Sequence, residues 1–192
     1  MANIWAHDEA YGLAGTVTEI RRDLHRHPEL GFREVRTSGK ISDFLSELGI
    51  EHRSGVAETG VLGTIHGAAP GRTVALRADM DGLPIEEKTE NPARSENPGV
   101  MHACGHDGHV AILLGVASLL QRHRKEFAGS VRLAFQPAEE WLGGAIPLLE
   151  QGALGMLRAP HVLVVGAAAV LAATGTLQLA SEALRRWVAP GA

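Results

Sequence analysis

Short apolar runs alternate along this chain with longer amphipathic segments. The short runs are rich in residues typical of β-strands, whereas the longer segments repeat their apolar residues at helical spacing. Strands are predicted over residues 61–65, 73–77, 131–135, 162–165 and 175–179, and helices over residues 15–27, 37–48, 108–124 and 143–151. Residues 81–99 are polar and interrupted by prolines, which predicts a surface loop. The alternation predicts an α/β fold, a layered mixed sheet flanked by helices.

Composition narrows the classes of protein to which the chain can belong. Its 192 residues, of which 45% are hydrophobic and 21% charged, fit one ordinary globular domain. The net charge of −4 argues against a general nucleic-acid binder, which needs a basic face. The single cysteine, Cys104, excludes an internal disulfide, and residues 1–15 lack the features of a signal peptide. We therefore expect a protein of the reducing cytoplasm.

Charged side chains become rare after residue 150. Those of residues 151–192 are Arg158, Glu182, Arg185 and Arg186. Residues 162–173 form an unbroken apolar run of twelve residues, which is shorter than the roughly 20 residues that a membrane-spanning helix needs. A buried strand is therefore the preferred interpretation of this run, and a tail anchor in a membrane is the alternative.

Two aspartates follow the predicted strand over residues 73–77. Asp79 and Asp81 stand where binding sites of open α/β sheets form, beyond the carboxyl ends of the strands. Aspartates after a strand are also common as turn formers, so the position alone leaves both interpretations open.

The densest cluster of metal-ligating residue types runs from His102 to His109. Cys104 and His106 are separated by one glycine, so both can bind one ion, and a thiolate with an imidazole suits zinc. The N-terminus of the predicted helix beside them is expected to favour the thiolate. A buried cysteine among loop histidines and a Cys-His nucleophile are the alternatives. Asp107 is expected either to cap the helix or to orient a ligand imidazole.

Two adjacent carboxylates, Glu139 and Glu140, follow the predicted strand over residues 131–135. In an extended chain successive side chains point to opposite sides. One carboxylate could then bind a metal while its neighbour faces a water or substrate as a general base. A solvated pair in a loop is the alternative.

Four motifs together resemble the bacterial and plant N-acyl-amino-acid amidohydrolases, a metallopeptidase-like family that includes hippurate hydrolases, aminoacylase-like carboxypeptidases and auxin-conjugate hydrolases. The motifs are Asp23-Leu-His-Arg-His-Pro-Glu-Leu-Gly-Phe32, Leu76-Arg-Ala-Asp-Met-Asp-Gly-Leu-Pro-Ile85, Met101-His-Ala-Cys-Gly-His-Asp-Gly-His109 and Phe135-Gln-Pro-Ala-Glu-Glu140. Their order and separations make the resemblance specific. It is close from about residue 16 to residue 154 and weak beyond.

The resemblance implies a zinc-exopeptidase-like catalytic domain whose two divalent metal ions, Zn²⁺ or Mn²⁺, support hydrolysis of the amide bond in a small N-acyl amino acid. By motif position Cys104, His106 and Glu140 correspond to metal ligands, with the cysteine at the bridging place. Glu139 corresponds to the general base, and Asp81 to the carboxylate that orients a ligand histidine. The partner that we expect is a small N-acyl amino acid, whereas the net charge and the short apolar run argue against nucleic acid and membrane, and a homo-oligomer stays open.

Other residues of the motifs are assigned less directly. His25 and His27 belong to the family's N-terminal helix signature, for which a structural role is expected. Asp79 occupies a place where related peptidases carry a histidine ligand, and its role stays open.

The resemblance also predicts an incomplete site. Residues 167–169 are alanines where the family carries a ligand histidine, and His161 lies too far along the predicted strand to replace it. We expect residues 1–154 to be the N-terminal part of the catalytic domain and residues 155–192 to be a divergent apolar tail that completes the sheet. The lid or dimerisation domain is expected to be absent. A catalytically inactive remnant, acting if at all as an interaction protein, is therefore the alternative to an active hydrolase.

Overall fold

The computed structural model describes residues 5–140, 143–153 and 164–166. The α-helices are α1 (Trp5–Gly12), α2 (Ala14–Arg26), α3 (Val35–Glu47), α4 (His106–Arg122) and α5 (Ala145–Glu150), and a short 3-10 helix spans Arg124–Glu126. The strands are β1 (Glu51–Val56), β2 (Gly60–His66), β3 (Ala69–Asp79), β4 (Ala128–Gln136) and β5 (Val164–Gly166).

These strands form one mixed sheet. Within the described residues the strand order is β1-β2-β4-β3-β5. The β1–β2 and β2–β4 pairs are antiparallel, whereas β3 runs parallel to both β4 and β5. Since parallel strands end at the same edge of a sheet, the C-terminal ends of β3, β4 and β5 all lie at one edge. The predicted layered mixed sheet is confirmed.

Helices α3 and α4 cover one face of the sheet, and α2 packs against α4. Their apolar stripes bury residues such as Leu24, Ile41 and Leu114 against Leu133 and Phe135 of β4. Each fully buried side chain of this kind contributes roughly 1.5–3 kcal/mol to stability. A second, smaller hydrophobic cluster includes Leu62 of β2, Ala134 of β4 and Leu148 of α5. Helices therefore flank the sheet as predicted.

The element predictions are confirmed for all segments that the structure describes, with boundaries shifted by a few residues. The sequence reasoning missed α1 and β1. Strand β1 is polar and mostly exposed, so it lacks the apolar alternation on which a strand prediction depends. Of the strand predicted over residues 162–165, Val164 and Val165 are described and lie in β5.

Several predictions concern residues outside the described ranges. They are the strand over residues 175–179, the alanines at 167–169, the position of His161 and the tail anchor. Among the helices of residues 5–140 and 143–153, none is long and apolar enough to cross a membrane. The division of the chain at residue 154 stays a prediction.

Candidate metal centre

The polar clusters that follow β3 and β4 meet at one edge of the sheet. Asp79, the last residue of β3, lies opposite Gln136, the last residue of β4. The chain segments that follow the two strands therefore leave the sheet side by side. Asp81, which follows β3, accepts one hydrogen bond from His106 at the start of α4 and another from Glu140 after β4. Three segments that are separated in the sequence thus form one site.

Cys104, His106 and Glu140 each direct one potential ligand atom into this site. Their sulfur, nitrogen and carboxylate oxygen atoms all lie within 4.8 Å of one another. Gly105 separates the first two and has a φ of +80°, a left-handed conformation that glycine adopts at little cost. This turn starts α4 at His106 while the preceding Cys104 stays beside the imidazole.

The imidazole of His106 is oriented from behind by Asp81. Its Nδ1 lies 3.1 Å from Oδ1 of Asp81 and 3.0 Å from the backbone carbonyl oxygen of the same residue. Both oxygens can only accept, so Nδ1–H donates and the lone pair of Nε2 stays available. Burial opposes a charged imidazole, but the hydrogen bond to Asp81 and the nearby carboxylates outweigh it and raise the pKa of His106.

Cys104 is an exposed free thiol among carboxylates. The adjacent Glu140 carboxylate is the main cause that raises the pKa of Cys104 to about 11, and burial and the charges of Glu139 and Asp79 add to it. In the metal-free site the acidic groups and burial therefore favour the neutral thiol, so the net balance is the opposite of the one expected from the helix N-terminus. A divalent cation among these groups would reverse the balance, since coordination deprotonates a thiol.

The two glutamates after β4 converge instead of diverging. Ala138, immediately before them, has a φ of +50°, so the chain is not extended there. Oε2 of Glu139 lies 3.9 Å and Oε1 of Glu140 lies 3.8 Å from Nε2 of His106. The expectation that they point to opposite sides is wrong because the left-handed turn breaks the strand. The Glu139 side chain is 38% exposed and that of Glu140 is 19% exposed, so Glu139 is the more accessible to solvent.

Asp79 belongs to a second potential ligand group, which shares His106 with the first. Ligand atoms of Asp79, His106 and His109 also lie within 4.8 Å of one another. Oδ1 of Asp79 is 2.5 Å from Nδ1 of His109, and Oδ2 is 3.1 Å from the guanidinium of Arg77. Burial opposes ionisation, but these donors and the charge of His106 outweigh it and lower the pKa of Asp79. The sequence reasoning assigned no role to His109, although it follows His106 by three residues on α4 and so shares its face.

Three other residues of these motifs, His25, His102 and Asp107, form a separate buried cluster with Glu87, which we call the His25 cluster. Nδ1 of His25 lies 2.7 Å from Oδ2 of Asp107, and Nε2 lies 3.4 Å from Oε1 of Glu87. Nε of Arg21 also lies 2.7 Å from Oδ2 of Asp107. Burial is the main cause that lowers the pKa of His102 to about 4, so this imidazole is neutral at pH 7.

The two roles expected for Asp107 are wrong. In the described chain α4 has no side-chain hydrogen bond that caps its N-terminus, and the partners of the Asp107 carboxylate are His25 and Arg21. Asp107 points into the His25 cluster because it stands next to His106 on α4 and therefore faces another direction. His27 lies outside this cluster, and its Nδ1 is 2.8 Å from the Asp23 carbonyl oxygen in α2.

The donor set of Cys104, His106 and Glu140 fits a divalent cation. Oε1 of Glu140 is buried, and in the part of the chain that is described it accepts no hydrogen bond. Such an oxygen is costly to bury unless a partner compensates it. Thiolate, imidazole and carboxylate are the ligands that zinc takes in proteins, and three of them with a water make up a catalytic zinc site.

Comparison with known proteins connects this geometry with a family. A family model for peptidase family M20/M25/M40 matches residues 75–179. Thermostable carboxypeptidase 1 of Saccharolobus solfataricus is 51% identical over 141 residues, which are 72% of this chain and 36% of the carboxypeptidase. N-acetyldiaminopimelate deacetylase of Anoxybacillus flavithermus is 51% identical over 132 residues, which are 68% of this chain and 34% of the deacetylase. The match thus spans about a third of the length of these relatives.

A solved structure agrees with the sequence comparison. The YXEP protein of Bacillus subtilis, described as a dinuclear metal-binding peptidase of the M20 family, superimposes with a TM-score of 0.74. Its sequence is 44% identical, and the match covers 81% of this chain and 43% of that one. The chain is therefore similar, in fold and in sequence, to a relative that is described as metal-binding.

Proposed function

The chain belongs to peptidase family M20/M25/M40, and we propose that its site hydrolyses the amide bond of small N-acyl amino acids with a divalent metal ion. The observation that carries the proposal is the convergence of Cys104, His106 and Glu140, whose ligand atoms lie within 4.8 Å of one another. The name of the deacetylase relative, which refers to an N-acetylated amino acid, supports the substrate class.

In the proposed site Cys104, His106 and Glu140 hold a Zn²⁺ or Mn²⁺ ion. A bound cation of this kind lowers the pKa of a coordinated water and polarises the carbonyl of the substrate amide. Asp81 keeps the imidazole of His106 in the tautomer whose Nε2 can bind, through the 3.1 Å contact with Nδ1. YXEP is described as dinuclear, and the group around Asp79 shares its histidine with the first, so we propose at least one ion for the described residues.

Glu139 is proposed as the general base. Its carboxylate lies 3.9 Å from Nε2 of His106 and is the more exposed of the two glutamates, so it can reach both water and substrate. Glu139 accepts a proton from the attacking water while the new C–O bond forms at the amide carbon. It then delivers that proton to the amine nitrogen as the C–N bond breaks, so the carboxylate is regenerated.

The cellular setting is part of the same proposal. An unpaired Cys104 that must stay reduced to bind a metal suits the cytoplasm. The partners that we propose are small N-acyl amino acids, with no nucleic acid or membrane among them. A homo-oligomer is compatible with this activity.

The test is a metal-dependent hydrolysis assay on the purified chain. The chain is stripped with a chelator, reloaded with Zn²⁺ or Mn²⁺ and assayed for the release of glycine from hippurate and of acetate from N-acetyl amino acids. Glu139→Gln is the matched control, because it keeps the three ligands and removes the base. We expect activity only in the loaded wild-type chain and unchanged metal content in the variant.

Two results would contradict the proposal. A wild-type chain that takes up no metal would remove its basis. A loaded chain that hydrolyses none of these amides would favour the inactive remnant that acts, if at all, as an interaction protein.

A further inference from the structure

Three consecutive backbone N–H groups donate to two buried carboxylates where the chain leaves β4. The N–H of Ala138 donates to Oε1 of Glu34 at 2.8 Å. The N–H of Glu140 donates to Oδ2 of Asp81 at 3.1 Å, and the N–H of Glu139 also donates to Asp81. The segment that carries the proposed base and one proposed ligand is therefore held by hydrogen bonds that its backbone N–H groups donate to both carboxylates.

Glu34 contributes to this arrangement from a distant part of the sequence. It immediately precedes α3, 104 positions before Ala138, and its side chain is fully buried. Oε2 accepts a hydrogen bond from the hydroxyl of Thr59 at 2.5 Å, so each carboxylate oxygen has one donor. A buried carboxylate is costly without such donors. Glu34 thus joins the turn between β1 and β2 to the loop after β4.

Ala138 has an unfavourable backbone conformation that its hydrogen bond to Glu34 helps to maintain. Its φ of +50° is left-handed, a conformation that is unfavourable for an L-residue other than glycine. Without this turn the two following side chains would alternate in direction, as in any extended segment. With it, the carboxylates of Glu139 and Glu140 lie 3.9 Å and 3.8 Å from Nε2 of His106.

We propose that Glu34 is a positioning residue, whose buried carboxylate holds the left-handed turn at Ala138 and thereby aims Glu139 and Glu140 at the metal centre. The inference deepens the proposed function and rests on it for the roles of the two glutamates. Glu34 itself does not touch the proposed ligands, since the partners of its carboxylate in the described residues are Thr59 and Ala138.

The experiment compares variants that separate the two hydrogen bonds of Glu34. Glu34→Met removes both acceptors, whereas Thr59→Val removes the hydroxyl and leaves the bond to Ala138. Glu34→Gln is the conservative variant, because an amide oxygen still accepts from Ala138 and the amide nitrogen can donate to Thr59. Ala138→Gly, added to Glu34→Met, tests the turn directly, because glycine adopts positive φ at no steric cost.

Two measurements are made on each variant. Hydrogen exchange of the amides of residues 138–140 is compared with that of Leu133 in the core of β4, which reports global unfolding. Co²⁺ affinity is measured by titration and does not depend on activity.

We expect Glu34→Met to accelerate exchange at residues 138–140 about 10-fold more than at Leu133 and to weaken Co²⁺ binding about 10-fold, the scale of losing a residue that orients a ligand. Thr59→Val and Glu34→Gln should leave Co²⁺ affinity within about 3-fold of the wild type. Ala138→Gly should recover part of the affinity that Glu34→Met loses. A role confined to stability would show no such recovery, and uniform acceleration of exchange would also overturn the proposal.

The design separates failure of this inference from failure of the proposed function. If the wild-type chain binds no Co²⁺ the proposed function fails, and exchange at residues 138–140 still decides the role of Glu34. If Glu34→Met does not fold, Glu34→Asp replaces it, because a carboxylate shorter by one methylene cannot bond to both Thr59 and Ala138. Selective acceleration of exchange in Glu34→Asp would support the inference, and protection equal to the wild type would contradict it.

Discussion

Residues 102–109 contribute to two clusters of ionisable side chains that differ in how their polar atoms are used. Cys104 and His106 enter the metal centre, where donor atoms converge and Oε1 of Glu140 accepts no hydrogen bond from the described residues. His102 and Asp107 enter the His25 cluster, where Oδ2 of Asp107 contacts His25 and Arg21. Oδ1 of Asp107 and both ring nitrogens of His102 are buried there without a hydrogen-bond partner among the described residues, so the two clusters differ in exposure and in the convergence of ligand atoms. Both clusters are rich in histidine and carboxylate.

The difference shows that residue type alone does not make a metal site. The His25 cluster lies in a closed interior, since the side chains of His25, Glu87 and Asp107 are at most 5% exposed and both carboxylates contact the His25 imidazole. In the metal centre like charges face a shared space next to solvent, and the free thiol of Cys104 is exposed. We therefore expect changes in the first cluster to affect folding and changes in the second to affect metal binding.

The largest effect is expected from Asp107→Ala. It leaves the buried His25 imidazole and the partly exposed Arg21 guanidinium without their shared carboxylate, and losing one partner of a buried pair such as His25 and Asp107 costs about 3 to 4 kcal/mol. Urea denaturation of the metal-free chain measures the loss. Lys40→Ala, which removes an exposed contact of 3.7 Å with Asp23, is the control and should stay within about 0.5 kcal/mol of the wild type. Equal stability of Asp107→Ala and the wild type would show that the His25 cluster does not stabilise the fold.

The second effect is a dependence of folding on pH that comes from His102. Burial and the charges of His106 and His25 lower its pKa to about 4, whereas Asp107 and Asp81 oppose this shift. As the pH falls through about 6.5, the ordinary pKa of histidine, His102 therefore binds a proton in the unfolded chain before it does so in the folded chain. The contribution of His102 to the free energy of unfolding is therefore fully present above pH 6.5 and is lost as the pH falls towards 4. The loss is about 3 kcal/mol, at 1.36 kcal/mol for each unit of pKa difference between the folded and unfolded chain.

The measurement is the free energy of unfolding of the metal-free wild type and of His102→Gln between pH 7 and pH 4. The variant lacks this titration, so the difference between the two proteins should shift by about 3 kcal/mol in favour of the variant at low pH. A difference that does not change with pH would show that His102 is not buried in its neutral form.

If His106 is a direct ligand, as we propose, His106→Gln should weaken metal binding on the order of 100-fold or more, because a direct ligand contributes more than the residues that orient ligands. Glu87→Gln is the matched control from the His25 cluster. It should lower stability and leave Co²⁺ affinity within about 3-fold of the wild type. Equal losses of affinity in the two variants would mean that the clusters are not separate.

Asp81→Asn should have a smaller effect on the same affinity. An asparagine in place of Asp81 can present its amide nitrogen to Nδ1 of His106, which would favour the wrong tautomer, and a loss of about 10-fold is expected. Isothermal titration of the metal-free variant with Zn²⁺ measures it. Unchanged affinity would show that the 3.1 Å contact does not orient the imidazole.

The sequence predicted those parts of the molecule that depend on local patterns. The helical spacing of apolar residues predicted α2, α3 and α4, and the motif around Cys104 and His106 predicted residues whose ligand atoms do converge. Polar strand β1 carries no such pattern and was missed.

Contacts between distant residues were beyond the same reasoning. Asp107 pairs with His25 across 82 positions, and Glu34 holds Ala138 across 104 positions. Neither pairing leaves a local signal, because it depends on how the helices pack. The left-handed turn at Ala138 was missed for the same reason, since alanine, unlike glycine, does not predict a positive φ.

The most direct test is the absorption spectrum of the Co²⁺-loaded chain, compared between the wild type and Cys104→Ser. A cation bound by Cys104, His106 and Glu140 predicts a thiolate-to-cobalt charge-transfer band in the wild type and its loss in Cys104→Ser. A spectrum without this band, or a band that survives Cys104→Ser, would contradict the assignment of the metal centre to these residues.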